Sequence, residues 1–244
     1  MKTELQTTGL RIPARGVMLD GDLIAPEMPA GIIVFAHGSG SSRLSPRNRQ
    51  VAAALRASNF ATLLFDLLTP AEEAMDANTG YFRFDIDLLA ARLAEVTDWL
   101  LSRAETRDLK IGFFGASTGA AAALVAAALR PNAVGAVVSR GGRPDLAANF
   151  LPLVYAPTLL IVGGNDRPVI GMNEAAMRRM TNARTELVIV PGATHLFEEQ
   201  GALEEVSRLA REWFEVNLRN ARQVSGVHPS HPGAVSQSSP AASL

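Results

Sequence analysis

The chain contains no cysteine, and this excludes several kinds of chemistry at once. Disulfide scaffolds, thiolate metal sites and cysteine nucleophiles all need a residue type that the sequence lacks. Lysine is nearly absent as well, since it occurs only at Lys2 and Lys110, and arginine supplies almost all of the positive charge. Arginine binds carboxylates and phosphates in a bidentate manner, but the bias alone indicates no particular function.

Strong charge and long hydrophobic runs are also missing. The formal net charge is −1 at pH 7, so no overall field attracts nucleic acid or anionic lipid. No apolar run approaches the roughly 18 residues of a membrane span. The first residues, MKTELQTTGLRIP, lack the apolar core of a signal peptide. We therefore expect a soluble, cytoplasmic protein without nucleic-acid or membrane partners. The oligomeric state stays open.

The 244 residues are 48% hydrophobic, and the hydrophobic residues form a repeating pattern. Short continuous apolar runs are typical of strands buried on both faces, and amphipathic segments between them predict helices. We expect an α/β fold with a mostly parallel central sheet and helices on both faces. The predicted strands cover 31–38, 61–69, 109–115, 133–139, 157–164 and 186–190, and the predicted helices cover 46–58, 85–103, 118–130, 172–180 and 202–220.

Both ends of the chain differ from this pattern. Residues 10–26 alternate in polarity and contain Asp20-Gly21, which predicts an antiparallel hairpin at one edge of the sheet, with its turn at this dipeptide. The last residues are rich in Pro, Ser, Gly and Ala, a composition that cannot bury enough apolar surface to order itself. We therefore predict one domain over residues 1–221 and a disordered tail over 222–244.

The segment GASTG (115–119) follows a predicted central strand and begins a predicted helix. This is the context of a nucleophile elbow, in which small residues two before and two after the serine permit a sharp turn. The alternative is that Ser117 only caps the helix, because serine is among the best N-cap residues. The five residues alone do not decide between a nucleophile and a cap.

A nucleophilic serine needs a base and an acid that orients the base. His195 follows the last predicted strand and Asp166 follows the strand before it, so both lie at the same edge of the sheet as Ser117. The alternatives are a surface-loop histidine and a turn or cap aspartate. The other histidines are His37 in a glycine-rich loop and His228 and His231 in the tail.

The glycine-rich loop FAHGSGSS (35–42) is a candidate oxyanion hole, since its backbone amides can approach a ligand closely. We expect the N–H groups of Ser39 and Thr118 to be the two donors. His37 is expected to order this loop, and it is also a candidate for substrate contact. A phosphate-binding loop is disfavoured, because the lysine and the spacing of such a loop are missing.

With these motifs in this order, the sequence resembles the α/β-hydrolase superfamily, and most of all its dienelactone hydrolase branch. The resemblance covers about residues 17–218 and rests on HGSGSSR, GASTG, GGND and GATHLFEE. It implies that Ser117 is the nucleophile, Asp166 the orienting acid and His195 the base. Dienelactone hydrolases proper carry a cysteine nucleophile, usually followed by two glycines. The serine in this chain favours a general carboxylesterase.

The connecting segments leave no room for a large cap domain. Residues 69–84, which include Tyr81, are expected to form a small flap, and the pocket is expected to be shallow or open. Arg43, Arg140 and Arg143 are candidates for binding a substrate carboxylate. The alternative, which we favour, is structural: Arg43 pairs with Asp66 and Arg143 with Asp145.

The resulting prediction is a hydrolase that cleaves small or short-chain carboxylic esters through an acyl-enzyme and needs no cofactor or metal. The partner it implies is a small-molecule ester. Two alternatives stay open: an acyltransferase that uses the same three residues, and a binding module that kept the fold without the activity.

Overall fold

The computed structural model describes residues 5–218. Its centre is an eight-stranded sheet with the strand order β1-β2-β4-β3-β5-β6-β7-β8. The strands β3 to β8 run parallel, whereas β1 and β2 are antiparallel and form one edge. The strands are β1 (Leu5–Ala14), β2 (Val17–Ala25), β3 (Ile32–Ala36), β4 (Ala61–Phe65), β5 (Ile111–Ala116), β6 (Val134–Arg140), β7 (Thr158–Gly163) and β8 (Thr185–Val190).

Helices cover both faces of the sheet, which explains why the central strands are apolar throughout. Helices α1 and α6 pack on one face, around Phe35, Phe114 and Phe214. Helices α3, α4 and α5 pack on the other face. The helices are α1 (Pro46–Ala57), α2 (Pro70–Thr79), α3 (Ile86–Ser102), α4 (Thr118–Leu129), α5 (Arg167–Arg179) and α6 (Ala202–Leu218). The predicted α/β architecture is confirmed.

The edge hairpin is present, but the predicted position of its turn is wrong. The turn lies at Arg15-Gly16, where both residues have positive φ (49° and 74°), as two-residue hairpin turns favour. Asp20 and Gly21 lie inside β2 instead. Gly21 serves packing there, because a Cβ would approach Ile12 Cδ1 to 2.7 Å.

The segment predicted as a flap contains a helix that the sequence interpretation did not assign. Helix α2 begins with a capping box: Glu72 N–H donates to Thr69 Oγ1, and Thr69 N–H donates to the Glu72 carboxylate. A short 3₁₀ turn, Phe82–Phe84, follows it. Helix α5 begins at Arg167, five residues before the predicted start, and the other predicted helices agree to within two residues.

The predicted tail, 222–244, lies outside the described residues. Over 5–218, none of the helices has both the length and the apolar character that a membrane crossing requires.

A buried ion pair fastens α2 to the domain. Arg92 on α3 is 2% exposed and donates to both carboxylate oxygens of Glu72 (2.6 and 2.8 Å) and to the carbonyl of Leu67 (2.8 Å). Burial alone raises the pKa of Glu72, but the hydrogen bonds from Arg92 and Thr69 outweigh burial and lower it. The Arg92 guanidinium therefore binds both the start of α2 and the loop that follows β4.

We expect Arg92→Met to lower the free energy of unfolding by about 3 kcal/mol, because it leaves the carboxylate of Glu72 without its cation. Urea unfolding measures this. The matched control is Arg208→Met, which breaks exposed pairs with Glu205 and Glu212 on the surface of α6. The urea midpoint of this control should barely move. Equal losses of unfolding free energy in the two variants would contradict a stabilising role of the Arg92–Glu72 pair.

Candidate active site

Ser117 stands on a strained turn between β5 and α4. Its backbone angles are φ 51° and ψ −119°, a region that residues with side chains rarely adopt. The flanking glycines permit the turn. A Cβ on Gly115 would lie 2.8 Å from the backbone nitrogen of Ala120, and one on Gly119 would collide with the carbonyl oxygens of Ala36 and His37. This is the geometry that a nucleophile elbow requires.

The side chain of Ser117 does not cap the helix, although the residue occupies the N-cap position of α4. Its Oγ instead lies 3.3 Å from Nε2 of His195. The hydroxyl therefore faces the imidazole of His195. A capping serine would instead accept a hydrogen bond from one of the unpaired N–H groups in the first turn of the helix.

His195 is held in turn by a carboxylate. Its Nδ1 lies 2.6 Å from Oδ2 of Asp166, so Nδ1–H donates to the acid and leaves Nε2 as the acceptor that faces Ser117. Asp166 also occupies an N-cap position, that of α5, without making a capping bond. The His195 side chain is 38% exposed and that of Asp166 is 13% exposed, so solvent reaches the imidazole while the acid is shielded.

The structure brings the three predicted residues together because β5, β7 and β8 end at the same edge of the sheet. Two further positions, which the sequence interpretation missed, make this approach possible. Gly141 has φ 53°, and a Cβ there would lie 3.1 Å from the carbonyl oxygen of His195. A Cβ on Gly163 would collide with the carbonyl oxygens of Ala193 and Thr194. The double glycines in SRGGRPD and VGGND are the signals that these positions leave in the sequence.

The glycine-rich loop 35–42 (the oxyanion loop) lies against the start of α4, but the N–H of Ser39, its predicted oxyanion donor, already has a partner. Ser39 N–H donates to Oγ1 of Thr118 at 2.9 Å. His37 is buried, and both of its ring nitrogens have backbone partners. Nε2 accepts the N–H of Leu67 at 3.0 Å, and Nδ1 donates to the carbonyl of Gly38 at 3.0 Å. His37 thus orders this loop as a neutral imidazole and has no ring nitrogen free for a substrate.

Two of the candidate arginines are tied to carboxylates of the protein. Arg43 pairs with Asp66 and lies 3.5 Å from Asp22, and Arg143 pairs with Asp145 at 2.7 Å. These are the partners that the structural alternative predicts.

The other two candidates behave differently. Arg140 is buried against the ring of Phe197 and donates to the carbonyl of Leu196 (3.4 Å). Burial, together with the nearby guanidinium of Arg47, lowers the pKa of Arg140 to about 10. Tyr81 is 68% exposed on the flap and packs edge-on against Phe82. Arg140 therefore touches the loop that carries His195, and Tyr81 faces solvent.

A cavity of about 510 Å³ is bordered by Ser39 and by Thr118, the residue that follows Ser117. Its floor is apolar, with Leu67, Leu68 and Leu89. The N-terminus of α1 forms one wall and residues of the flap form the other. Within the part of the chain that the structure describes, no cluster of three or more His, Asp or Glu side chains is arranged to hold a metal ion.

This site can be compared with known proteins. The sequence profile described as the dienelactone hydrolase family matches residues 19–218. The chain belongs to this family. A solved structure, a dienelactone hydrolase from Anabaena variabilis, is 56% identical and superposes with a TM-score of 0.86, covering 88% of this chain and 99% of that one. Together with the fold, these findings support a hydrolase.

Two further comparisons show less about function. Proteins from two strains of Mycobacterium tuberculosis, provisionally named as phosphoribosyl transferases, are 56% identical over 210 residues. The match covers 86% of this chain but 46% of those proteins, so the chain spans about half the length of these curated relatives. Est1E from Butyrivibrio proteoclasticus is 16% identical with a TM-score of 0.71, covering 86% of this chain and 98% of that one, and it shows the fold alone.

We expect Gly119→Ala to destabilise the domain by about 1–3 kcal/mol, because the new Cβ pushes the oxyanion loop away from α4. Urea unfolding checks this, with Gly171→Ala as the matched control. A Cβ on Gly171, within α5, meets nothing within 4 Å. Alanine there should stabilise the helix by up to about 1 kcal/mol. A neutral Gly119→Ala would contradict the close packing of the elbow.

The buried His37 should make stability depend on pH. Burial lowers its pKa, and this outweighs the opposite effects of the Gly38 carbonyl and the Asp66 carboxylate. Below about pH 6.5 the unfolded chain takes up a proton at His37 that the folded chain refuses. The free energy of unfolding therefore falls as the pH falls from 7 towards 5.5, with a slope of up to about 1.4 kcal/mol per pH unit from this residue.

The variant His37→Gln should lose this part of the slope, measured by urea unfolding at several pH values. Since His195 and the tail histidines are the same in both proteins, the difference between the two slopes belongs to His37. Identical slopes in wild type and variant would show that His37 is accessible to protons in the folded state.

Proposed function

We propose that the protein is a serine hydrolase that cleaves carboxylic esters of small or short-chain substrates through an acyl-enzyme. Ser117 is the nucleophile, His195 the general base and acid, and Asp166 the residue that orients the imidazole. The observation that carries the proposal is the direction of the Ser117 side chain. On a strained N-cap position it makes no capping bond and meets Nε2 of His195 instead.

In the first half of the reaction, His195 Nε2 takes the proton of the Ser117 hydroxyl as Oγ attacks the ester carbonyl. A bond forms between Oγ and the carbonyl carbon, and the carbonyl oxygen becomes an oxyanion beside the N-terminus of α4. When the oxyanion collapses, the bond to the alcohol breaks. His195 returns its proton to the leaving oxygen, and the acyl group stays on Ser117.

In the second half, water takes the place of the alcohol. His195 removes a proton from the water, whose oxygen attacks the acyl carbon, and the proton then returns to Ser117 as the acid leaves. Asp166 accepts the Nδ1–H throughout and stabilises the imidazolium that forms twice. The partial exposure of His195 favours water as the acceptor over the acyltransferase alternative.

The surroundings of the site support small, uncharged acyl or alcohol groups. The cavity beside Thr118 has an apolar floor and a volume of about 510 Å³. Arg43, which was a candidate for binding a substrate anion, is neutralised by Asp66. Arg47 and Arg83, which border the cavity, are also paired with carboxylates, so the cavity offers little to a substrate carboxylate.

We expect a panel of p-nitrophenyl esters to show higher kcat/KM for acetate and butyrate than for chains of twelve carbons or more. Ser117→Ala should reduce kcat by at least about 10⁴-fold, because the nucleophile and the first covalent step are lost. The matched control is Ser102→Ala, an exposed serine at the end of α3 that does not border the cavity. A fluorophosphonate should label wild type and Ser102→Ala, and leave Ser117→Ala unlabelled.

Several outcomes would contradict this proposal. Ester cleavage that survives in Ser117→Ala would exclude Ser117 as the nucleophile. A folded wild-type protein that neither cleaves any ester nor reacts with the fluorophosphonate would support the non-catalytic binding module. Formation of a new ester in place of the acid, when an alcohol is added at low concentration, would support the acyltransferase.

A further inference from the structure

The hydrogen bond between Ser39 and Thr118 occupies one of the two N–H groups that the sequence predicts as oxyanion donors. The sequence suggests that Ser39 N–H contacts the substrate oxygen directly. In the structure this N–H donates to Oγ1 of Thr118 at 2.9 Å. A hydroxyl group accepts and donates at the same time. The contact therefore satisfies one side of the Thr118 hydroxyl and leaves its proton for another acceptor.

Among residues 5–218, no acceptor receives that proton. Other buried hydroxyl groups on helices of this protein donate to the carbonyl four residues earlier: Thr97 to Leu93 (2.9 Å) and Ser207 to Leu203 (2.8 Å). Thr118 has no such carbonyl, because it is the first residue of α4 and the residue four positions earlier lies in β5, and it is 3% exposed. Buried hydroxyl groups normally have at least one hydrogen-bond partner, and Ser39 N–H is that partner here. The proton of the Thr118 hydroxyl is left for an acceptor that enters the cavity bordered by this residue.

The position of Thr118 fits that partner. It follows Ser117 directly, it borders the 510 Å³ cavity together with Ser39, and it is the first residue of α4. The N–H groups in the first turn of a helix have no carbonyl partner within the helix. Thr118 therefore carries two donors, its backbone N–H and its Oγ–H, on the residue that directly follows Ser117 and borders the cavity.

We propose that the Thr118 hydroxyl is the second donor of the oxyanion hole, and that Ser39 acts through it. This inference rests on the ester hydrolysis proposed above. When Ser117 Oγ attacks, the carbonyl oxygen gains negative charge and accepts from Thr118 N–H and from Thr118 Oγ–H. Ser39 N–H, which donates to the same Oγ1, polarises the hydroxyl and strengthens its donation. Thr118 is then a catalytic residue and Ser39 a positioning residue.

The test compares three side chains at position 118. Thr118→Val keeps the shape and the backbone N–H but removes the hydroxyl. Loss of one oxyanion donor typically lowers kcat by about 10²–10³-fold. We expect a loss of that size with KM changed by less than about threefold, because the contact forms in the transition state. Thr118→Ser keeps the hydroxyl and should recover most of the lost kcat.

A transition-state analogue gives a second readout that a structural defect would not mimic. A trifluoromethyl ketone forms an oxyanion on Ser117, so its affinity should fall in Thr118→Val in proportion to kcat/KM and return in Thr118→Ser. Urea unfolding of the three proteins establishes that each is folded. If Thr118→Val is not folded, the ratio between Thr118→Ala and Thr118→Ser tests the same hydroxyl.

The direction in which kcat changes in Thr118→Val tests whether the hydroxyl is an oxyanion donor. If the hydroxyl merely occupies Ser39 N–H and must move away when a substrate binds, Thr118→Val frees that donor and kcat rises or stays the same. Either result overturns this inference. The proposed function fails separately, on outcomes that do not involve Thr118, such as ester cleavage that survives in Ser117→Ala. A dead Ser117→Ala beside a fully active Thr118→Val would refute the role of Thr118 alone.

Discussion

The positive φ of Ser117 is the constraint on which the rest of the site depends. A residue with a side chain in such a conformation costs on the order of 1–3 kcal/mol, so its neighbours must hold it there. Its N–H donates to the carbonyl of Arg140 (3.2 Å), and its carbonyl accepts from the N–H of Arg143 (3.1 Å). The loop after β6 thus supports Ser117 through its backbone.

The need to place three side chains around one atom also explains the glycines of the site. The backbones of the segments at the ends of β6, β7 and β8 approach each other closely. Gly141 lies against His195, and Gly163 lies against the carbonyl groups of Ala193 and Thr194. Side chains at these crossings would hold the loops apart, and the imidazole would lose Ser117 or Asp166. The strained backbone of Ser117 and the glycines around it both follow from the need to bring three side chains together.

The sequence predicts the sheet and the three residues because both depend on topology. Buried parallel strands end at one edge, so polar residues that follow β5, β7 and β8 must meet there. Contacts between loops depend on exact backbone paths, and patterns do not contain them. Ser39 and Thr118 are 79 residues apart, and nothing local indicates their hydrogen bond. The predicted position of the hairpin turn is wrong for another reason. Arg15-Gly16 and Asp20-Gly21 both contain a glycine that favours a turn, and the close packing of Gly21 against Ile12 distinguishes them.

The arginine bias acquires a physical meaning in the structure. Arg43 fastens the loop after β3 to the carboxylate that follows β4, and Arg83 and Arg143 pair with carboxylates within their own segments. Arg140 has no carboxylate among residues 5–218, yet with a pKa of about 10 it stays charged at neutral pH beneath the loop that carries His195. Its guanidinium lies against a carbonyl and an aromatic ring, both of which stabilise a cation. These arginines thus hold the loops of the site in place, and little positive charge is left over for an anionic substrate, in agreement with a neutral ester.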